Sequence, residues 1–392
     1  MRGARSQPYV AGVVTALVGF SSTFALVLTG LRSVGASSEQ ASSGLLAVCV
    51  IMGVLAIVFA FGTRMPVSIA WSTPGAALLL STGAPDGGYA AAVGAFLVCG
   101  LLLLAAGLST TLGRWIEAIP RPLASAMLAG VLLPICIAPA KAVAEIPGQA
   151  VPVVAAWLVL LVVARRWAVP GAIAVTAIVI LVADDPTAPA EGLLPALTWT
   201  TPSFDAGAIV GLALPLFLVT MASQNITGMT VLASFGYRPR LGPVLVGTGG
   251  GTAIGAPFGV FSVNLAAISA ALVAGPDGGD DPDRRWIGAA VSGVAYFALG
   301  LSAGAAAALL AAAPPLLIQA AAGLALLGAL AAAMRGAMAA DSHREAAIVT
   351  LVVSASAITI AGISAPFWGL LAGLAVLGAE RLRAAVARPS AA

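Results

Sequence analysis

Charge is scarce in this sequence. Only 8% of its 392 residues are charged, whereas 60% are hydrophobic and the mean hydropathy is +1.06. Soluble domains carry about 25% charged residues, so a chain this long could not dress a water-facing surface with so few. The bilayer must be its main solvent. Histidine is scarcer still. His343 stands alone, which excludes a His-based zinc site and a His-dependent catalytic triad. The three cysteines, Cys49, Cys99 and Cys136, lie in apolar runs and read as small packing residues without a disulfide or metal role. No apolar run gathers an acid, a histidine and a nucleophile, so neither enzyme chemistry nor a cofactor is expected. The net charge of +3 is scattered through short loops. No basic patch interleaves with aromatics, and nucleic acid is not an expected partner. Hydrophilic inserts long enough for a soluble domain are also missing.

What is present is a succession of apolar runs punctuated by glycine, proline or charge. At about 28 residues per span and turn, the length accommodates about fourteen spans. Segments 1 to 7 are expected at Tyr9–Leu28, Gln40–Phe61, Pro66–Ser81, Tyr89–Leu112, Leu123–Ala138, Gln149–Val163 and Trp167–Val182. Segments 8 to 14 follow at Ala206–Ser234, Pro243–Gly255, Pro257–Ala274, Trp286–Ala311, Pro314–Met334, Arg344–Ile360 and Pro366–Leu382. The first run follows Arg2 and Arg5 but is long for a signal core, so it is expected to be a retained transmembrane helix.

The positive-inside rule tests this count. With the N-terminus in the cytoplasm and strict alternation, 16 of the 18 Lys and Arg residues fall on the cytoplasmic side, and only Arg32 and Lys141 fall outside. A missed or added span would scramble that asymmetry. Both termini are therefore expected in the cytoplasm. The acidic clusters Asp184, Asp185 and Glu191, and Asp277, Asp280, Asp281 and Asp283, fall between runs and read as solvated loop charge. Gly247, Gly251 and Gly255 recur every four residues in segment 9. They share one helix face and read as a packing surface. A phosphate loop would need a Lys-Ser/Thr ending and a strand–helix setting.

Segments 3 and 10 are anomalous. Segment 3 reads Pro66-Val-Ser-Ile-Ala-Trp-Ser-Thr-Pro-Gly75. Its first half is extended in character, and Ser72-Thr73-Pro74 is a helix start, with a hydroxyl N-cap and proline in the first turn. Segment 10 reads Pro257-Phe-Gly-Val-Phe-Ser-Val-Asn-Leu265. It suggests the same plan, with Ser262 as N-cap of a helix over Val263–Leu272. Irregular backbone at membrane depth is tolerated only where protein buries it or it lines a cavity. Each segment is third in its half of the chain. Seven spans is odd, so the halves enter the membrane in opposite senses. Paired interrupted segments in corresponding positions point to a transporter's binding site. The expected fold is therefore all-α and polytopic: 14 segments in a 7+7 inverted repeat, with segments 3 and 10 interrupted. Two half-helix N-termini meeting near the midplane suit an anion, most simply a carboxylate.

Segment 8 supplies Gln224 and Asn225, and segment 1 supplies Phe20, Ser21 and Ser22. The serines could equally be interhelical glue. The amides Gln224, Asn225 and Asn264 favour a site role because burying an unpaired amide is costly. Phe20, Trp71, Phe258 and Phe261 flank these polar points and suit a flat apolar ligand, although aromatics more often serve packing.

Three stretches carry a resemblance. Pro66-Val-Ser-Ile-Ala-Trp-Ser-Thr-Pro-Gly-Ala-Ala-Leu78, Leu216-Phe-Leu-Val-Thr-Met-Ala-Ser-Gln-Asn225 and Gly255-Ala-Pro-Phe-Gly-Val-Phe-Ser-Val-Asn-Leu265 resemble the signatures of the benzoate–proton symporter family of bacterial inner membranes. The similarity runs through essentially the whole chain, and the family is similar in architecture to uracil permeases and sulfate carriers. The resemblance implies a core domain from residues 1–116 and 206–311, a gate domain from 117–205 and 312–392, elevator-like movement of core against gate, and a homodimer through the gates. It implies import of an aromatic acid with a proton. The substrate-binding set is then Phe20, Ser21, Ser22, Trp71, Ser72, Thr73, Gln224, Asn225, Phe261, Ser262, Val263 and Asn264. Nucleobase carriers of similar architecture have acids where this chain has Gln224, Asn225 and Asn264. Neutral amides fit an anionic substrate, but the usual proton carrier is then missing. The proton could ride on the substrate carboxylate, or use a span-end acid such as Glu39, Asp86, Glu117 or Asp205. A nucleobase or inorganic-anion carrier and an anion channel are the alternatives.

Overall fold

The computed structural model describes residues 2–109, 120–183, 194–311, 314–360 and 363–386. Arg114, Glu117, Asp184, Asp185, Glu191, Arg388 and the divisions at 116/117 and 311/312 lie outside them. The protein is a mostly helical membrane protein. Helices α1 (Arg2–Ser33) and α2 (Ser38–Thr63) lead into strand β1 (Ile69–Trp71), α3 (Thr73–Thr82) and α4 (Gly88–Leu108). Helices α5 (Arg121–Glu145), α6 (Pro147–Val163) and α7 (Ala168–Ala183) follow. A long helix α8 (Ala206–Ser234), α9 (Leu241–Gly255), strand β2 (Val263–Leu265), α10 (Ala267–Ala274) and α11 (Trp286–Gly300, continued by a short helix Ala303–Ala311) come next. The chain ends with α12 (Pro315–Ala337), α13 (Arg344–Ala355), a two-residue hairpin of β3 (Thr359–Ile360) and β4 (Ile363–Ser364), and α14 (Ala365–Val386). Among the described residues six helices are long and apolar enough to cross a membrane: α1, α2, α4, α5, α8 and α12. Outward-facing valines such as Val162 and Val182, more than 80% exposed, mark surfaces suited to lipid.

Several boundaries differ from the sequence reading. Segment 13 stops being helical at Ala355, where Ala357 takes a left-handed conformation (φ 54°), and the chain turns into the β3–β4 pair. Segment 11 breaks after Gly300. The start of the second half-helix also moves. Ser262 does not cap a helix. Residues Val263–Leu265 are strand, and α10 begins at Ala267 behind Ala266, with no side-chain cap. The reason is pairing. Trp71, Ala70 and Ile69 oppose Val263, Asn264 and Leu265 in antiparallel register, and a helix starting at Ser262 would leave β1 without a partner in a place where water cannot replace it. Segment 3 needs no such shift, because Ser72 accepts from the Gly75 N–H at 3.0 Å and Pro74 sits in the first turn of α3.

Helices pack in recurring pairs: α4 with α9, α2 with α11, α5 with α12 and α13, α13 with α14, and α6 with α7. Glycines set the closest crossings. A methyl group on Gly100 would sit 2.6 Å from the Ala253 nitrogen, and one on Gly249 would strike the Leu104 backbone, so α4 and α9 touch main chain to main chain. Gly53 and Gly293 do the same for α2 and α11. The Gly247–Gly251–Gly255 face packs against Phe59, Leu55 and Ile51 of α2, as the packing reading expected, but the backbone contact is made by Gly249. Substituting Gly249 with alanine should lower the thermal midpoint through overpacking of about 1–3 kcal/mol. Gly250, whose methyl would meet only Leu104 Cδ1 at 3.8 Å, should tolerate alanine or gain up to about 1 kcal/mol from helix propensity. Melting curves of the two purified variants in one detergent test the contrast.

Candidate substrate site at the strand crossing

The site is built on the crossing of β1 and β2. Two further backbone bonds extend the ladder: the Ser72 N–H to the Ser262 carbonyl (3.0 Å) and the Ala266 N–H to the Ser68 carbonyl (2.9 Å). Side chains satisfy what the two short strands leave over. The Leu265 N–H donates to Asn225 Oδ1 at 2.9 Å, and the Val263 N–H donates to Thr252 Oγ1 at 2.9 Å. With its amide oriented to meet complementary partners, Asn264 accepts from the Ser72 N–H at 2.9 Å and donates to the Leu265 carbonyl at 3.1 Å. Thr220 of α8 donates to Ser72 Oγ at 2.9 Å and lies 3.2 Å from Ser262 Oγ. Ser72, Thr220, Asn225, Thr252, Ser262 and Asn264 are all fully buried.

Helix α8 is shaped for this role. It carries two π-helical stretches, Ile209–Ala213 and Met221–Asn225. A π-turn widens the helix and frees a carbonyl. In the first stretch the cause is visible. Pro215 has no N–H and crowds the carbonyl four residues earlier, which belongs to Gly211, and the Ser364 hydroxyl donates to that carbonyl at 2.6 Å. The second stretch turns Asn225 onto β2.

The twelve residues named from sequence fall into three groups. Ser72, Asn225, Ser262, Val263 and Asn264 join in the buried crossing just described, and Thr73 opens α3 beside them. Phe20 and Trp71 meet edge to face at 6.0 Å between centroids. Phe20 also stacks on Phe24 at 5.3 Å, and Trp71 lies 6.4 Å from Tyr296. The Trp71 Nε1–H donates to Thr23 Oγ1 at 3.0 Å. Ser22 spends its hydroxyl on the Gly19 carbonyl of its own helix, while Ser21 and Gln224 are half-buried. Phe261 is buried in the same apolar core and stands edge-on to Phe96 at 6.3 Å.

Thr23, Thr220, Thr252, Ser269 and Tyr296 were not singled out from sequence. Tyr296 hydrogen-bonds Ser269 in the first turn of α10. A threonine in a helix can always bond its own preceding turn, as Thr252 also does, so its sequence carries no mark of a second partner.

A cavity of ≈ 400 Å³ runs along one face of α8, lined by Leu218, Ala222, Ile226 and Thr230 at four-residue spacing. Arg121 and Met127 of α5, Gly336 of α12 and Leu370 of α14 complete it. None of the twelve residues lines it, but Ala222 and Ile226 flank the turn that carries Gln224 and Asn225. Among the described residues, Arg121 is its one charged lining residue. No group of His, Cys, Asp or Glu among the described residues could hold a metal ion.

Residues 4–379 match the family described as benzoate membrane transport protein. The chain belongs to the benzoate membrane transport protein family. It is a membrane transporter and not an enzyme. It is 38% identical over 368 residues to the Escherichia coli (strain K12) inner membrane protein YdcO, covering 93% of each chain. It is 27% identical over 373 residues to the benzoate membrane transport protein of Acinetobacter baylyi, again covering 93% of each. Among solved structures, the transmembrane domain of the cyanobacterial bicarbonate transporter BicA aligns over 95% of this chain and 97% of its own, with TM-score 0.63 and 18% identity. SLC26A9 aligns over 97% of this chain and 66% of its own, with TM-score 0.64 and 11% identity. At such identities the likeness concerns the fold alone. It places this member of the benzoate transport family in the uracil-permease and sulfate-carrier architecture that the sequence motifs implied.

Replacing Asn225 by leucine would strand the buried Leu265 N–H, and Thr220→Val would remove the hydroxyl that joins Ser72 to Ser262. Each is expected to lower stability by about 1–3 kcal/mol, with the double variant falling short of the sum because both act on one network. Thermal midpoints of the two single variants and the double variant check this.

Proposed function

We propose that the chain imports benzoate or a similar aromatic carboxylate together with a proton, by elevator-like movement, across a bacterial inner membrane, with both termini cytoplasmic. The observation that carries the choice of an acid substrate is the neutrality of the buried crossing. Its polar side chains are Ser72, Thr220, Asn225, Thr252, Ser262 and Asn264, and the charged residue on the cavity along α8 is the cation Arg121. A carboxylate would meet hydroxyls, amides and the first turns of α3 and α10, and no carboxylate of the protein. The family description and the Acinetobacter relative, which is named for benzoate, favour an aromatic acid. In this reading Ser72, Thr73, Ser262, Val263 and Asn264 present the strand–helix corner, Gln224 and Asn225 the α8 wall, Ser21 and Ser22 the α1 wall, and Phe20, Trp71 and Phe261 the apolar surroundings.

The fourteen-segment inverted repeat belongs to this proposal, and the packing pairs support it. Shifting each helix number by seven turns the α4–α9 pair into α11–α2 and the α6–α7 pair into α13–α14. The same shift maps α5–α12 and β1–β2 onto themselves. The pairs also divide as a core (α1–α4, α8–α11) and a gate (α5–α7, α12–α14) would. Homodimerisation through the gates is part of the reading. Energetics supports proton coupling. A bare monoanion entering against a negative-inside potential costs about 2.3 kcal/mol per 100 mV, and one proton cancels that term.

An inorganic-anion carrier of the same fold is the second reading, suggested by the bicarbonate-transporter neighbour. Sulfate or bicarbonate displacing bound benzoate would favour it, and single-channel currents without accumulation would favour an anion channel. In proteoliposomes, labelled benzoate is expected to accumulate under an inward proton gradient. Equal initial rates with and without the gradient would sink the coupling claim. Movement has its own test. The Ser364–Gly211 bond joins the proposed gate to the proposed core and must break if they slide. Ser364→Ala should therefore favour the opposite conformer by roughly 0.5–1.5 kcal/mol, seen as faster thiol labelling of a cysteine placed at Thr82 beside it. Unchanged labelling would count against sliding at this boundary.

A further inference from the structure

The segment before α8 runs over residues 194–205 without helix or strand. By sequence order it follows the gate helices, and the division at 205/206 counts it with them. Its bonds reach other elements. The Thr198 N–H donates to Ser43 Oγ of α2 at 2.9 Å, and Gln40 Nε2 of α2 donates to Thr200 Oγ1 at 3.0 Å. The Thr200 N–H donates to the Pro257 carbonyl at 2.8 Å, and the Ser203 N–H donates to the Ala90 carbonyl of α4 at 2.9 Å. Trp199 meets Phe258 edge to face at 5.4 Å between centroids, and a methyl group on Gly94 of α4 would strike the Ser203 carbonyl. Under the start of the segment, a cavity of ≈ 400 Å³ is walled by Ser38 and Ser42 of α2 and by Ala307 of the short helix after α11. Asp205 then caps α8, its carboxylate accepting from the Ala208 N–H at 2.8 Å. Among the described residues, no hydrogen bond joins this segment to α5–α7 or α12–α14.

Ser43 joins these contacts to the approach to β2. It is fully buried. Its oxygen accepts from the Thr198 N–H, and its own O–H donates to the Phe258 carbonyl at 3.0 Å, with the Thr198 carbonyl farther off at 3.4 Å. Helix α9 ends in the short turn Ala256–Phe258, and Gly259 then takes a left-handed conformation (φ 99°) that sends the chain towards Phe261 and β2. The last carbonyls of a helix have no partner within it. Here the Thr200 N–H serves that of Pro257, and the Ser43 hydroxyl serves that of Phe258. A methyl group on the neighbouring Gly44 would stand 3.0 Å from the Gly259 oxygen, so α2 seats this turn directly. The segment, α2 and the approach to β2 are thus one bonded unit.

We propose that residues 198–205 are a strap of the moving core and not part of the gate. Ser43 is the positioning residue of this strap, holding the turn that delivers Phe261–Asn264 to the crossing. The inference rests on the elevator reading. If the segment stayed with the gate, its four hydrogen bonds to α2, α4 and the turn would have to break together at every stroke. Each break strands a polar group, which is costly where water is scarce. Across the proposed seam, by contrast, Ser364 meets Gly211 through one hydroxyl–carbonyl bond. In shear movements packed elements stay whole and slip past one another by small amounts. The strap also fixes the start of α8 to the body that carries β2. Asn225 and the Leu265 N–H that it meets therefore travel together.

The test uses the full chain in proteoliposomes, with Cys136 replaced by alanine so that the native thiols left, Cys49 and Cys99, are buried. Gln40→Cys and Thr200→Cys are joined by a short bifunctional thiosulfonate. Benzoate uptake should stay within about twofold of the unlinked protein, because the link lies inside one moving body. Thr82→Cys and Ser364→Cys, which line one cavity between α3 and α14, should on linking lower uptake about tenfold or more, because that link crosses the seam. Uptake lost through the strap link and restored by reductant would overturn the proposal. Uptake that survives both links would sink the sliding movement and not the strap, whose attachment is read separately by hydrogen exchange. Ser43→Ala should speed exchange about tenfold in peptides covering 198–204 and 258–266 while leaving α5 and α12 unchanged. Unchanged exchange at 258–266, or an equal rise throughout the chain, would overturn the positioning role.

Discussion

Inside a bilayer no water is available to an unpaired backbone group, and that constraint organises this structure. Two short strands cross within the protein because each is the other's source of partners. Everything nearby completes their hydrogen bonding. Asn225 and Thr252 take the leftover N–H groups of β2, Asn264 serves its own strand and the start of α3, and Thr220 ties Ser72 to Ser262. The amides and hydroxyls at the crossing are therefore structural first. Any substrate that meets them meets groups whose orientation is already set, and such pre-organisation is what a selective site needs.

Close helix packing answers the same constraint from another side. Helices in lipid gain little from apolar burial against one another, so contact must come from surface complementarity. Gly100 with Gly249 and Gly53 with Gly293 bring main chains together, and α8 departs from regular geometry only where a proline or a strand demands it. The π-turn at Ile209–Ala213 precedes Pro215, and the one at Met221–Asn225 turns a side chain onto β2.

The broad fold was legible in the sequence because hydropathy reports the solvent directly. The first helix start was legible too, since Ser72-Thr73-Pro74 carries cap chemistry that acts locally, and the structure has Ser72 as the cap. The second was not. Ser262 looks like a cap, but the backbone there answers to β1, far away in sequence, and no local pattern records a distant partner. Thr220 and Tyr296 escaped notice for the same reason, because their partners Ser72 and Ser269 lie on other elements. Pro215 was visible, but its consequence, a free Gly211 carbonyl met by Ser364, needed the fold.

The crossing also has a history in time. Ala70 pairs with Asn264, so β1 leaves the ribosome long before β2 exists. At about 5–20 residues per second, the wait is on the order of ten to forty seconds. During that interval the edge of β1 has no mate, and a nascent chain inserted one helix at a time would expose it to hydrocarbon. The first half of the protein must therefore be held by the insertion machinery, or kept hydrated at its centre, until the second half arrives.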